Sequence, residues 1–87
     1  MARRRSRIRE AINRALHTGG DYIVYYRHRD PERGEVLRGV GIGEVSRVTG
    51  WAMELRGGDT IPLHRVVEIR DSSGRVVWRR GAGWSTG

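Results

Sequence analysis

Apolar residues recur at helical spacing near the start of the chain. They are Ile8, Ala11, Ile12, Ala15 and Leu16. These positions follow i, i+3, i+4, i+7 and i+8, which lays a single stripe along one face of a helix. Ser6 precedes the stripe as a candidate N-cap, and Gly19-Gly20 follows it as a stop signal. The pattern predicts an amphipathic helix between these two signals.

After Gly20 the pattern changes to the alternation of an extended chain. One face of residues 22 to 29 carries Tyr22, Val24 and Tyr26, and the other carries Ile23 and Tyr25. Because both faces are partly apolar, this segment is predicted to be a central strand. Residues 30 to 34 have the composition of a turn, and residues 35 to 40 return as a partner strand. The two segments predict a β-hairpin.

Shorter extended segments fill the rest of the chain. Residues 44 to 48 and 51 to 55 flank Thr49-Gly50, and residues 75 to 80 follow a Ser-Ser-Gly turn. Glycines alternate with apolar residues at positions 39 to 43, but no helical pattern follows them. A phosphate-binding glycine loop requires such a helix, so this segment is predicted to be a bend.

These segments predict a single α+β domain over residues 1–80, with a basic extension over residues 1–5 and a flexible tail over residues 81–87. About five or six short strands are expected. Tight turns cannot make parallel crossovers, so the sheet should be mainly antiparallel. We therefore expect an N-terminal helix packed on one strongly curved sheet, arranged as a meander or a partly open barrel.

Residues 57 to 70 form the longest extended stretch and contain the pair His64-Arg65. Strict alternation places Arg65 on the same face as Ile61, Leu63, Val67 and Ile69. A guanidinium on an apolar face requires an anion, unless a β-bulge resets the alternation. The anion can be a carboxylate of the protein or a phosphate of a ligand. The sequence leaves all three possibilities open.

The charge balance narrows the choice of partner. The 87 residues carry a net charge of +7, and all 17 basic residues are arginine. Six of these arginines, but only one acid, Glu10, fall within residues 1–17. A guanidinium grips phosphate with two parallel hydrogen bonds, so nucleic acid is the favoured partner. Arg3, Arg4 and Arg5 are candidate phosphate contacts, or alternatively a solvated tail.

Several other classes of protein are disfavoured by composition. The chain has no cysteine, and its three histidines are not paired at metal-ligand spacing, so neither a metal nor another cofactor is predicted. No apolar run is long enough to span a bilayer, and no signal-peptide pattern follows the basic start. We expect a cytoplasmic protein with no membrane partner.

Basic side chains cluster at His64-Arg65 and again at Arg27-His28-Arg29. Alternation puts Arg27 and Arg29 on one face of their strand and His28 on the other. The clusters converge only if the two strands lie side by side, which the sequence does not show. Otherwise these charges simply face water. Candidate base-stacking rings are Tyr22, Tyr25, Tyr26 and Trp51.

Three segments carry a resemblance to a known family. They are IREAINRAL, DYIVYYRHR and IPLHRVVEIR, with an Ile-Pro-x-His-Arg core. Over residues 6 to 80 the chain resembles the RNA cyclic-group end-recognition domain of small archaeal proteins, also called the RNA repair domain. The resemblance implies recognition of RNA ends that carry a 2′,3′-cyclic phosphate. Some members are joined to RNA-ligase-like or phosphoesterase domains.

The favoured hypothesis is therefore an RNA-binding module that reads a 3′ end or the phosphate backbone. Arg65 could clamp the phosphate while His64 donates to one oxygen or to a ribose hydroxyl. A second hypothesis is a non-catalytic adaptor that binds an RNA-processing protein. A third is a cyclic phosphoesterase that uses His28 and His64 as base and acid, although the chain lacks His-x-Thr repeats.

Overall fold

A computed structural model describes residues 7–81 and 83–84. In this part of the chain one α-helix, α1 (Arg7–Thr18), is followed by eight strands. The strands are β1 (Tyr22–Asp30), β2 (Gly34–Gly41), β3 (Val45–Val48), β4 (Ala52–Leu55), β5 (Thr60–Pro62), β6 (Val66–Asp71), β7 (Val76–Arg79) and β8 (Gly83–Trp84). Two 3-10 helices, Ile42–Glu44 and Leu63–Arg65, join β2 to β3 and β5 to β6.

The strands form two antiparallel sheets. One has five strands in the order β2-β1-β6-β7-β8, and the other has three in the order β3-β4-β5. The α+β class and the antiparallel pairing are confirmed, but the expectation of one curved meander or partly open barrel is wrong. The 3-10 helices redirect the chain out of the first sheet after β2 and back into it before β6. The stretch predicted as one long strand is thus divided between two sheets.

The helix covers the core from one side, as the apolar stripe predicted. Its buried residues are Ile8, Ala11, Ile12 and Ala15, and Leu16 packs against them. They meet buried residues of both sheets, among them Val24, Val45, Met53, Ile69 and Trp78. Burial of this apolar surface supplies the main driving force for folding. The candidate N-cap, Ser6, lies outside the described residues.

Among the residues described, no helix has both the length and the apolar character needed to cross a bilayer.

A β-bulge resets the alternation in the stretch around Arg65. In the pairing of β1 with β6, Tyr25 lies opposite Glu68 and Tyr26 lies opposite Val66, so Val67 has no partner of its own. Val66 is buried in place of Val67, while Arg65 is exposed. Of the three possibilities left open by the sequence, the reset of alternation is the one observed. Arg65 itself precedes the bulge and is exposed in the 3-10 helix Leu63–Arg65, so strict alternation does not extend to it.

Aspartates close two of the tight turns. Asp30 Oδ1 accepts hydrogen bonds from the backbone N–H groups of Glu32 (2.8 Å) and Arg33 (3.0 Å), and these bonds hold the pKa of Asp30 below its usual value. The hydroxyl of Ser73 donates to Asp71 Oδ1 (2.7 Å) and is the main cause of a similarly lowered pKa there. Each turn also contains a glycine with positive φ, Gly34 at 78° or Gly74 at 92°. The ends of both hairpins are thereby fixed.

The last described strand lies at the edge of the larger sheet. The backbone of Gly83–Trp84 pairs with β7, Trp84 opposite Trp78 and Gly83 opposite Arg79. The flexible tail expected over residues 81–87 stays a prediction.

Candidate functional site

The site lies where β1 extends beyond the end of its pairing with β6. β1 pairs with β6 only as far as Tyr26, opposite Val66, but it pairs with β2 as far as Asp30. Residues 27–30 therefore have β2 on one side, and on the other side the 3-10 helix Leu63–Arg65, which we call the His-Arg turn. The fold thus brings the cluster Arg27-His28-Arg29 next to the cluster His64-Arg65, a proximity that the sequence does not show.

A pocket of about 250 Å³ forms at this junction. It is lined by Arg27, Arg29, Glu35, His64 and Arg65, and we call it the arginine pocket. Arg27 and Arg29 share one face of β1 because strand residues alternate, and Glu35 lies opposite Arg29 in the pairing with β2. The pocket therefore concentrates three guanidinium groups and one imidazole around a single carboxylate.

The basic groups of the arginine pocket are not neutralised by the part of the protein that the structure describes. Within residues 7–81 and 83–84, the side chains of Arg27, Arg29, His64 and Arg65 form no hydrogen bond or ion pair. Other arginines do have carboxylate partners: Arg47 pairs with Glu54 at 3.0 Å, and both Arg70 and Arg79 pair with the buried Glu68. Guanidinium groups without ion-pair partners around one cavity have the chemistry needed to bind an anion.

Arg80 holds the His-Arg turn in place from behind. Its Nη2 donates to the carbonyl oxygen of Leu63 at 2.7 Å, and its Nε donates to that of Val66 at 2.9 Å. These two residues flank His64 and Arg65, and both are buried. The planar guanidinium thus fixes the turn while the two intervening side chains remain exposed. The sequence does not reveal this contact of Arg80, because nothing in the pair Arg79-Arg80 shows which arginine reaches the turn.

A second cavity, of about 300 Å³, lies on the other face of the β1–β2 hairpin, and we call it the hairpin cleft. It is lined by Tyr26, His28, Arg38, Leu55, Asp59, Thr60, Ile61, Pro62 and Arg65. Arg65 borders both cavities, whereas His28 lines the cleft and His64 lines the arginine pocket. This arrangement does not support a mechanism that requires both imidazoles at one phosphate.

The candidate stacking rings occupy different places. Tyr25 lies on the same face of β1 as Arg27, and the guanidinium carbon of Arg70 lies 4.7 Å from its ring centre. Tyr22 and Tyr26 instead pack against the core, and Tyr26 also lines the hairpin cleft. Trp51, in the β3–β4 connection, is 69% exposed. Tyr25 is therefore the candidate in β1 that shares a face with the arginines of the pocket.

Residues 5–80 match the model of the MJ1316 RNA cyclic group end recognition domain. The chain belongs to this family. The resemblance drawn from three sequence segments is thus confirmed, and this end recognition domain contains every residue of the arginine pocket as well as Arg80. Arg3, Arg4 and Arg5 lie outside the described residues.

A relative of the end recognition domain has a similar length. A UPF0248 protein of Aeropyrum pernix is 53% identical over 88 aligned positions, which cover 97% of this chain and 88% of the relative. No solved structure matches the chain significantly.

Proposed function

We propose that the arginine pocket receives the 2′,3′-cyclic phosphate at the 3′ end of an RNA. The observation that carries this proposal is the convergence of Arg27, Arg29, His64 and Arg65, without partners among the described residues, around one cavity of about 250 Å³. A cyclic phosphate spreads one negative charge over two non-bridging oxygens. A guanidinium fork can bind both oxygens at once, and an imidazole N–H can donate to either.

Within this proposal the residues have different roles. Arg65 clamps the phosphate oxygens, and His64 donates to one of them from the same turn. Arg27 and Arg29, on the strand beside the turn, supply further positive charge to the cavity. Glu35 lowers the net charge of the pocket, which favours a singly charged cyclic diester over a doubly charged monoester.

Cyclic ends form when a ribose 2′-hydroxyl attacks the adjacent phosphodiester during RNA cleavage. A domain that holds such an end belongs to the repair or processing of cleaved RNA, for which we propose a cytoplasmic role. The family description names RNA cyclic group end recognition and supports this assignment. The separation of His28 from His64 favours binding over acid–base catalysis.

The test compares one short RNA carrying either a 2′,3′-cyclic phosphate or a free 3′-hydroxyl. We expect the cyclic end to bind about tenfold more tightly, which corresponds to about 1.4 kcal/mol. Arg65→Ala should abolish the difference, because the clamp is removed. Arg33→Ala is the matched control: it removes the same charge from the turn of the β1–β2 hairpin, outside the pocket. Equal affinity of the wild-type protein for both ends would overturn the proposal.

The same samples test catalysis. After prolonged incubation the RNA ends can be analysed for conversion of the cyclic phosphate to a monoester. We expect the cyclic end to persist. Conversion by the wild-type protein that is abolished in His64→Ala would replace recognition with phosphoester hydrolysis as the function of the pocket.

A further inference from the structure

The hairpin cleft is a second cavity that shares a wall with the arginine pocket. Arg65 lines both, so a molecule bound in one cavity lies next to a molecule bound in the other. A terminal nucleotide could occupy both cavities at once, because its base and its cyclic phosphate project from different sides of one ribose. We propose that the hairpin cleft holds the base of the RNA's terminal nucleotide and prefers a base with an exocyclic amino group. This inference rests on the function proposed for the arginine pocket.

The walls of the cleft suit a flat heteroaromatic ring. Leu55, Ile61 and Pro62 provide an apolar surface on the side of the smaller sheet. Tyr26 and Arg38 line it from the β1–β2 hairpin. Single-stranded RNA bases are commonly recognised by stacking on aromatic rings and on guanidinium planes. The volume of about 300 Å³ is of the size expected for a small-molecule site.

The edge of β5 supplies backbone groups for hydrogen bonding to a base. β5 is an edge strand of the smaller sheet. The residues on either side of it bond toward β4: the N–H of Leu63 donates to the carbonyl of Trp51 (2.9 Å), and the carbonyl of Asp59 accepts from the N–H of Leu55 (2.8 Å). Since antiparallel strands alternate these directions, the N–H and C=O of Thr60 point away from β4. Thr60 lines the cleft, so this edge presents one donor and one acceptor there.

The Asp59 carboxylate adds a further acceptor. It lines the cleft, and among the described residues it forms no ion pair or side-chain hydrogen bond. Together with the carbonyl of Thr60 it makes the cleft richer in acceptors than in donors on this side. Adenine, cytosine and guanine each carry an exocyclic amino group that such acceptors can bind, whereas uracil presents a carbonyl in its place. This side of the cleft therefore favours a base with an exocyclic amino group over uracil.

The test uses four RNAs that differ only in the terminal nucleoside, each with a 2′,3′-cyclic phosphate. We expect the adenosine, cytidine and guanosine ends to bind about fivefold more tightly than the uridine end. Asp59→Ala should reduce this ratio to about one. Asp21→Ala is the charge-matched control, because Asp21 is an exposed acid that lies outside both cavities. The control should leave the ratio unchanged, even if all RNAs bind more tightly to a more basic protein.

Asp59→Asn provides a second variant of similar shape. Its amide adds a donor that can bind the uracil carbonyl, so the uridine end should gain affinity relative to the other three. Wild-type protein that binds all four ends equally, yet still prefers cyclic phosphate to hydroxyl, would overturn the base site and leave the proposed function standing. Loss of the cyclic preference itself would overturn the proposed function instead.

Discussion

The guanidinium of Arg80 lies behind the His-Arg turn and outside the arginine pocket. Its two hydrogen bonds reach carbonyl oxygens on either side of His64-Arg65. The backbone N–H of Arg80 also donates to the carbonyl of Val67 at 3.0 Å, so the residue is anchored to the bulge of β6. Through these contacts Arg80 positions the phosphate-binding side chains that we propose, although it does not itself line the pocket.

Arg80→Lys should reduce the discrimination between cyclic and hydroxyl RNA ends by about fivefold. The charge is kept, but a compact ammonium cannot reproduce the fork that spans two carbonyls, so the turn is less firmly held. Affinity for RNA with a 3′-hydroxyl should change little, because the overall charge is the same. The measurement is the ratio of the two dissociation constants.

Arg56→Lys is the control for this effect. Arg56 Nε donates to the carbonyl of Gly43 at 2.8 Å, so it makes a similar contact to the other 3-10 helix. This helix does not line the arginine pocket, and the variant should therefore keep full discrimination. If Arg80→Lys also keeps it, Arg80 has no positioning role.

At the scale of elements, the β1–β2 hairpin provides one wall of each cavity, and its packing is close at Gly39. A Cβ atom at this position would lie 2.9 Å from Ile23 Cγ2 and 2.9 Å from Tyr25 Cε1. Gly39 is paired with Tyr25 across the hairpin, and Arg70 lies over the same ring. The missing side chain thus leaves room for the tyrosine on the face that leads to the arginine pocket.

Gly39→Ala should lower the free energy of unfolding by about 1–3 kcal/mol, because the added methyl group overpacks this face. Gly41→Ala on the same strand is the matched control. A Cβ atom there meets nothing within 4 Å, so its stability should stay within about 1 kcal/mol of the wild type. Urea unfolding of the three proteins measures the difference. Equal stability of the two variants would contradict the close packing at Tyr25.

The elements that the sequence predicted are those that depend on local patterns. The helix follows from its apolar stripe, and the first hairpin follows from alternation around a turn whose aspartate and glycine have clear roles. The sequence could not show whether a bulge occurs, or where, because two valines stand next to each other at positions 66 and 67. Either one can fill the core, so the pattern fits both registers equally well. Only the pairing with β1 decides between them.

The candidate site was predictable to a similar extent. Alternation correctly placed Arg27 and Arg29 together and His28 on the opposite face. Their approach to His64 depends on the pairing of β1 with β6, which are separated in sequence by β2 and by the whole of the smaller sheet. No local pattern encodes such a pairing.

At the scale of the whole molecule, the excess of arginine acts separately from the pocket. The net charge of +7 attracts any polyanion, whatever its end, and six of the 17 arginines fall within residues 1–17. Such attraction releases counterions from the nucleic acid and therefore weakens as salt is added. Recognition of the end and attraction to the backbone should thus respond differently to mutation.

Joint replacement of Arg3, Arg4 and Arg5 by alanine should weaken binding to cyclic and hydroxyl RNA ends by the same factor. The slope of log affinity against log salt concentration should become shallower by about 0.7 for each phosphate of single-stranded RNA that these arginines no longer neutralise. The ratio between the two ends should stay at its wild-type value. Titrations at several salt concentrations measure both quantities. A selective loss of cyclic-end binding would show instead that these arginines act at the end itself.

The order of the pocket residues along the chain has a consequence for synthesis. Arg27 and Arg29 leave the ribosome first on a hairpin that forms from neighbouring residues, His64 and Arg65 follow, and Arg80 comes last of all. Because Arg80 braces the turn, the pocket is complete only after β7 has joined the sheet. The nascent chain is therefore surrounded by the phosphate groups of ribosomal RNA before its own pocket for an RNA end is complete.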